Sequence, residues 1–115
     1  MNIYTVLIMK DYNVGIDEIK NFLSEEEAQS YIEDVEDELP FVDTDIYESE
    51  VKFDSSNEDG NKTKPIYTVV IDNGFYIVDV KSFLSSEEAQ KYREEMEKKD
   101  PYYNIETYNS KIKLK

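Results

Sequence analysis

Residues Ile3-Tyr4-Thr5-Val6-Leu7-Ile8 return as Ile66-Tyr67-Thr68-Val69-Val70-Ile71, an offset of 63 with five of six residues identical. Both stretches are rich in β-branched side chains and are apolar at odd and even positions alike. A half-buried strand alternates, whereas a run apolar on both faces suits a strand covered on both sides. Each is therefore expected to be a central strand, and a self-match of this kind organises the reading of everything around it.

Further along, Phe22-Leu23-Ser24-Glu25-Glu26-Glu27-Ala28-Gln29 returns as Phe83-Leu84-Ser85-Ser86-Glu87-Glu88-Ala89-Gln90, now at an offset of 61. That offset persists without a gap: Tyr31 matches Tyr92, Pro40 matches Pro101, Tyr47 matches Tyr108, and Val51-Lys52-Phe53 matches Ile112-Lys113-Leu114. The two-residue difference falls between the first two strands of each copy, where hairpin turns tolerate length changes. The chain reads as a tandem duplication of a β-β-α-β unit. The first repeat covers 1–54, a flexible polar linker covers 55–65 and the second repeat covers 66–115.

Within each copy, Asp11-Tyr12-Asn13 and Asp72-Asn73-Gly74 have turn chemistry, and second strands are expected at about 14–20 and 75–81. Ser24 and Ser85 sit where helix N-caps belong, each with a glutamate three residues on. Ala28, Ile32, Val35 and Leu39 form a narrow apolar stripe, while Arg93 replaces Ile32 in the second helix and shifts its packing onto Tyr92. Pro40 and Pro101 end the helices. Third strands alternate as Tyr47, Ser49, Val51, Phe53 and as Tyr108, Ser110, Ile112, Leu114. The fold class is α+β: an antiparallel or mixed sheet with two helices packed on it, the two repeats completing one compact domain. They do so either as one continuous sheet or as two packed layers, with strand one in the middle of each half.

The 115 residues carry a net charge of −14, and the charge is unevenly divided. Residues 1–54 hold 16 acidic and 3 basic side chains, net −13, while residues 66–115 hold 9 and 8, net −1. The density peaks on the first helix, at Glu25, Glu26, Glu33, Asp34, Glu36, Asp37 and Glu38, and continues on the following strand at Asp43, Asp45, Glu48 and Glu50. Near the helix N-terminus the dipole favours such charge; at Glu36, Asp37 and Glu38 it opposes it. The second helix has Glu97, Lys98 and Lys99 there instead. Acidic helices are ordinarily solvated surface, and high charge aids solubility. A costly arrangement kept in one copy and absent from the other favours a functional surface.

So strong a negative charge is expected to be repelled by nucleic acid and by anionic membrane, and to attract a basic protein surface. No apolar run approaches the length of a membrane span, and Met1–Met9 lacks the basic flank of a signal peptide, which fits a cytoplasmic protein. The chain has no cysteine and no histidine, so thiolate metal sites, disulfides and histidine-based catalysis are excluded. With glycine only at 15, 60 and 74, no phosphate-binding loop can form. Ser55–Gly60 has some calcium-loop character but begins with serine and reaches Ile66 at the twelfth position. Asp43, Asp45 and Glu48 form a carboxylate cluster without a defined cage. No catalytic residue, cofactor or metal site is expected.

Tyr12, Tyr76, Tyr102 and Tyr103 have no tyrosine counterpart in the other copy, and they read either as a contact surface or as ordinary turn positions. In composition the chain resembles the small, very acidic proteins of phages and mobile elements, several of which imitate the charge of DNA. That resemblance implies a non-enzymatic inhibitor whose acidic first repeat occupies the basic groove of a host nucleic-acid-binding or defence protein. The alternative is an assembly module, possible as a homodimer, in which the charge serves solubility alone.

Overall fold

The two matching apolar runs become the middle strands of two separate three-stranded sheets. The computed structural model describes residues 2–9, 16, 18–39, 42–51 and 63–113. Along the chain these form β1 (Asn2–Met9), β2 (Glu18–Phe22), α1 (Glu25–Glu38), β3 (Asp43–Glu50), β4 (Thr63–Asp72), β5 (Ile77–Phe83), α2 (Ser86–Lys99) and β6 (Asn104–Lys113). The strand orders are β2-β1-β3 and β5-β4-β6, and every pairing is antiparallel. The protein is thus α+β, with two helices and two antiparallel sheets. A single continuous or mixed sheet carrying both helices is not what forms.

Strand pleating explains the doubly apolar runs. On β1, Ile3, Thr5, Leu7 and Met9 turn towards the second sheet, while Tyr4, Val6 and Ile8 turn towards α1. On β4, Ile66 and Val70 face the first sheet, while Tyr67, Val69 and Ile71 lie under α2. The layers therefore run α1, first sheet, second sheet, α2, with the helices on opposite outer faces. Two layers win over one broad sheet because a broad sheet would leave Ile3, Leu7, Ile66 and Val70 in water.

The interface between the sheets has apolar ends and a polar middle. At one end Ile3, Val51, Ile66 and Ile112 pack together; at the other Leu7, Met9, Val70 and Val80 do so, with Tyr47 and Tyr108 closing the sides. These eight buried aliphatic side chains contribute on the order of 15 kcal/mol of transfer free energy before chain entropy is counted. Between them lie Thr5, Asn21, Ser49, Thr68 and Ser82, all buried, with Ser110 beside them.

The inventory of donors orients this network. Thr5 donates its hydroxyl hydrogen to Asn21 Oδ1, so Ser82 must donate to Thr5 (2.8 Å) and Thr68 to Ser82 (2.9 Å). Asn21 Nδ2 donates to Thr68 Oγ1 at 3.5 Å and closes a ring of four. Its other hydrogen goes to Ser110 Oγ at 2.7 Å, and the Ser82 backbone N–H donates to Ser49 Oγ at 2.9 Å. No buried side-chain polar atom among the described residues lacks a partner. Each such bond adds about 1 kcal/mol net, so the aliphatic ends supply most of the adhesion and the ring supplies alignment.

Local signals place the helices. Ser24 and Ser85 are extended N-caps whose hydroxyls accept from the N–H of Glu27 and Glu88, both at 3.1 Å. The C-caps Leu39 and Asp100 leave the helical region directly before Pro40 and Pro101, where the proline ring disfavours it. Tyr31 packs on Phe22 at 5.4 Å and Tyr92 on Phe83 at 5.3 Å, both tilted by 46°. The ring contact is thus the same in both halves, while α1 buries Ala28 and Ile32 and α2 buries Ala89 alone. Leu39, read as the end of the apolar stripe, is 43% exposed.

Several boundaries differ from the sequence reading. β2 and β5 begin later and end at Phe22 and Phe83, because those rings are the floor on which the helical tyrosines pack. β3 and β6 begin earlier, at Asp43 and Asn104, where the ladder to the central strand overrides a polar composition. Thr63, Lys64 and Pro65, read as linker, start β4 and pair with β6. Pro65 is tolerated because β5 pairs with β4 only from Tyr67 onward, so its missing N–H leaves no partner short. The remainder of that linker, the calcium-like segment, Tyr12, Phe53 and Leu114 lie outside the described residues.

Candidate protein-binding surface

Helix α1 runs over the outer face of the first sheet because Ala28 and Ile32 bury against Val6 and Ile8, with Val35 alongside. That anchoring turns the rest of the helix outward. Glu25, Glu26, Glu33, Asp34, Glu36, Asp37 and Glu38 are all exposed. With Glu27, eight of the helix's fourteen residues are acidic and its last turn has no basic side chain. Over a length of roughly 21 Å this is about one carboxylate per 2.6 Å, against one phosphate per ~1.7 Å of duplex DNA.

The strand residues divide. Glu48 and Glu50 pair with Tyr4 and Asn2, so they share the outer face with α1, and Asn2 Nδ2 donates to the Glu48 carboxylate. Asp43 and Asp45 pair with Met9 and Leu7 and turn the other way, towards the second sheet. The acidic set of the sequence reading is thus one face of nine residues plus two at the seam between the sheets. The same alternation separates Glu48 from Asp43 and Asp45, so the three do not converge. Among the described residues no group of three or more acidic side chains is placed to hold a metal ion.

Burial raises the Asp45 carboxyl above its ordinary value, and the charge of Asp43 adds to this. Thr44 on β3 donates to Glu36 at 3.1 Å and ties the helix to the strand. Lys20 lies 4.7 Å from the Tyr31 ring centre and 5.9 Å from that of Phe22. Lys81 covers Tyr92 and Phe83 in the same way at 5.2 and 5.6 Å. Each tyrosine hydroxyl also meets a carboxylate on the neighbouring strand: Tyr31 meets Glu18, and Tyr92 donates to Asp79 at 2.7 Å. These contacts fasten helix to sheet in both halves, and they bring one cation, Lys20, to the side that carries the α1 carboxylates.

Helix α2 presents a different surface on the opposite side. Arg93 and Glu97 pair at 3.2 Å, and Lys98 and Lys99 occupy the last turn, where helix carbonyls favour them. Of the unmatched tyrosines, Tyr76 and Tyr102 are exposed while Tyr103 packs partly against the α2 cluster. Phe75 is exposed beside them. The sequence reading overlooked it because the hydrophobic pattern does not distinguish a turn phenylalanine from a strand one.

No helix among the described residues is long and apolar enough to cross a membrane. No protein-family model, curated protein or solved structure matches the chain at a significant level.

Proposed function

We propose that this protein is a non-enzymatic binding protein whose acidic face mimics the charge of nucleic acid and occupies a basic groove on another protein. The observation that carries this reading is the one-sided charge: ten carboxylates, eight on α1 with Glu48 and Glu50 on β3, share one outer face, while the equivalent face over α2 mixes acids with Arg93, Lys98 and Lys99. Two faces built on the same element order need not differ this way for stability or solubility. The compositional resemblance to acidic phage and mobile-element proteins makes a cytoplasmic host nucleic-acid-binding or defence protein the target.

The same comparison underlies a second part of the proposal, that the chain arose by tandem duplication of a β-β-α-β unit. Matching strand orders, matching N-caps and the paired Lys20/Lys81 and Tyr31/Tyr92 contacts support it.

Affinity capture from a bacterial lysate tests the function, with wild type compared against a variant carrying Glu33→Lys, Asp34→Lys, Glu36→Lys and Asp37→Lys, at low and moderate salt. The expected result is a basic nucleic-acid-binding protein retained by wild type, released by added duplex DNA and lost with the variant. Equal retention of that protein by the variant would sink the reading.

A further inference from the structure

The most exposed aromatic rings of the described residues gather at one end of the second sheet. Phe75 (87% exposed) and Tyr76 (63%) stand in the β4–β5 turn, and Tyr102 (88%) stands between α2 and β6. Asp72 pairs with both Ile77 and Asn104, so the turn and the connection leave the sheet at the same end. Neither segment is loose. Asn73 Oδ1 accepts from the N–H of Phe75 and of Tyr76, both at 2.9 Å, and Gly74 takes a φ of 91°. Asp100 Oδ1 accepts from the Tyr102 N–H at 2.9 Å, and Asn104 Nδ2 donates to Asp72 Oδ1 at 3.0 Å, joining the two segments. The rings are held out on preorganised backbone, which lowers the entropy lost when something binds them.

Carboxylates flank this end on both sides. Asp72, Glu97 and Glu106 line a cleft of about 490 Å³ whose walls also include Arg93, Ile16 and Tyr103. Asp43 and Asp45 begin β3, which lies against β5 across the seam. Of the nearby cations, Arg93 is committed to Glu97, and Lys98 and Lys99 sit at the helix C-terminus. Rings among carboxylates suit an arginine: its guanidinium stacks on an aromatic face while pairing with an acid. A second copy of the chain is disfavoured, because it would bring a further charge of −14 to the same place.

We infer that this end is the anchoring contact for the partner and takes an arginine-bearing segment of a basic protein. The inference rests on the preceding reading that the partner is basic, and adds the contact that holds it. The acidic helix speeds encounter, whereas aromatic and arginine contacts near the centre of an interface set how long a complex lasts.

The test is an amide-resolved NMR titration of the full chain with octa-arginine and octa-lysine, at low and high salt, repeated on a Phe75→Ala, Tyr102→Ala variant. Both replaced residues are exposed, so the variant keeps the wild-type fold. The expected result is that amides of residues 72–76 and 100–106 shift, more with arginine than with lysine, and that these shifts survive high salt. The variant should bind octa-arginine about tenfold more weakly at high salt. Shifts confined to α1 and β3 would overturn the anchor while leaving the acidic-face reading standing. Equal response to both peptides, or an unweakened variant, would also overturn it. So would self-association of the free chain that disappears in the variant, which would assign the rings to a second copy.

Discussion

Asn21 on β2 donates to Ser110 on β6 at 2.7 Å, and through that bond one edge of the first sheet is tied to one edge of the second. At the opposite seam Ser82 on β5 donates its backbone N–H to Ser49 on β3 at 2.9 Å. In sequence, position 21 matches 82 and 49 matches 110 at the same offset of 61, so the two seams are closed by residues at matching positions. The difference is that one half uses an amide and the other a hydroxyl, and the ring between them has room for one amide.

Exchanging these residues tests that equivalence. Asn21→Ser alone removes the donor to Ser110 and leaves a void, for a loss of about 2 kcal/mol. Ser82→Asn alone places two amides in one ring and costs about 1–3 kcal/mol through overpacking. The double exchange should recover to within about 1 kcal/mol of wild type, because the ring can run the other way round. Urea unfolding of all four proteins measures this, and simple addition of the two losses would refute it.

The C-terminal turn of α1 opposes its own dipole, whereas α2 ends in Lys98 and Lys99. Asp37→Lys with Glu38→Lys should raise stability by about 1 kcal/mol in total at low salt. Glu36 is left in place because it accepts from Thr44. Thermal unfolding across a salt series reads this directly: wild type should gain stability as salt rises, and the gap to the variant should narrow as screening removes the repulsion.

Asp45 supplies a test at acid and neutral pH. Burial, with Asp43 adding, holds its carboxyl above the ordinary value in the folded chain. A raised folded pKa means that the contribution of this group is favourable below the ordinary value and is lost as pH rises through the raised one. Charged Asp45 is therefore a liability at neutral pH. Asp45→Asn should unfold at higher temperature than wild type at pH 7, and the difference should vanish in acid. A variant less stable than wild type at pH 7 would contradict this.

At alkaline pH the tyrosines behave in the same sense. Burial first, then the Glu18 carboxylate, pushes Tyr31 from 10.0 up to about 12. Tyr108 rises to about 12 through burial and Glu106, and Tyr92 is raised by burial and Asp79. The folded chain holds these protons more tightly than the unfolded chain, so their contribution is intact below pH 10 and disappears between about 10 and 12. Tyrosinate absorbance followed together with circular dichroism should show late ionisation coinciding with unfolding, and Tyr31→Phe should flatten the dependence. Ionisation of every tyrosine near pH 10 in a chain that stays folded would rule this out.

The elements themselves were legible in the sequence because they depend on local chemistry. Ser24 and Ser85 cap the helices because a hydroxyl before an acidic first turn satisfies orphan N–H groups whatever lies around it. The doubly apolar runs at 3–8 and 66–71 required central strands, and the self-match gave the halves a common element order. Which acidic residues share a surface was only partly legible. Helical spacing puts Glu33, Asp34, Glu36 and Asp37 outward, since Ala28 and Ile32 point in. Asp43 and Asp45 part from Glu48 and Glu50 because strand alternation sends them to opposite faces, and only the register with β1 says which face is which. Stacking two sheets rather than extending one was decided by tertiary structure: the inward faces of β1 and β4 exclude water only against each other, and the polar ring needs donors from both halves. The aromatic end was decided there too, because the ladder from Asp72 to Asn104 is what brings Phe75 and Tyr102, distant in sequence, to the same end of a sheet.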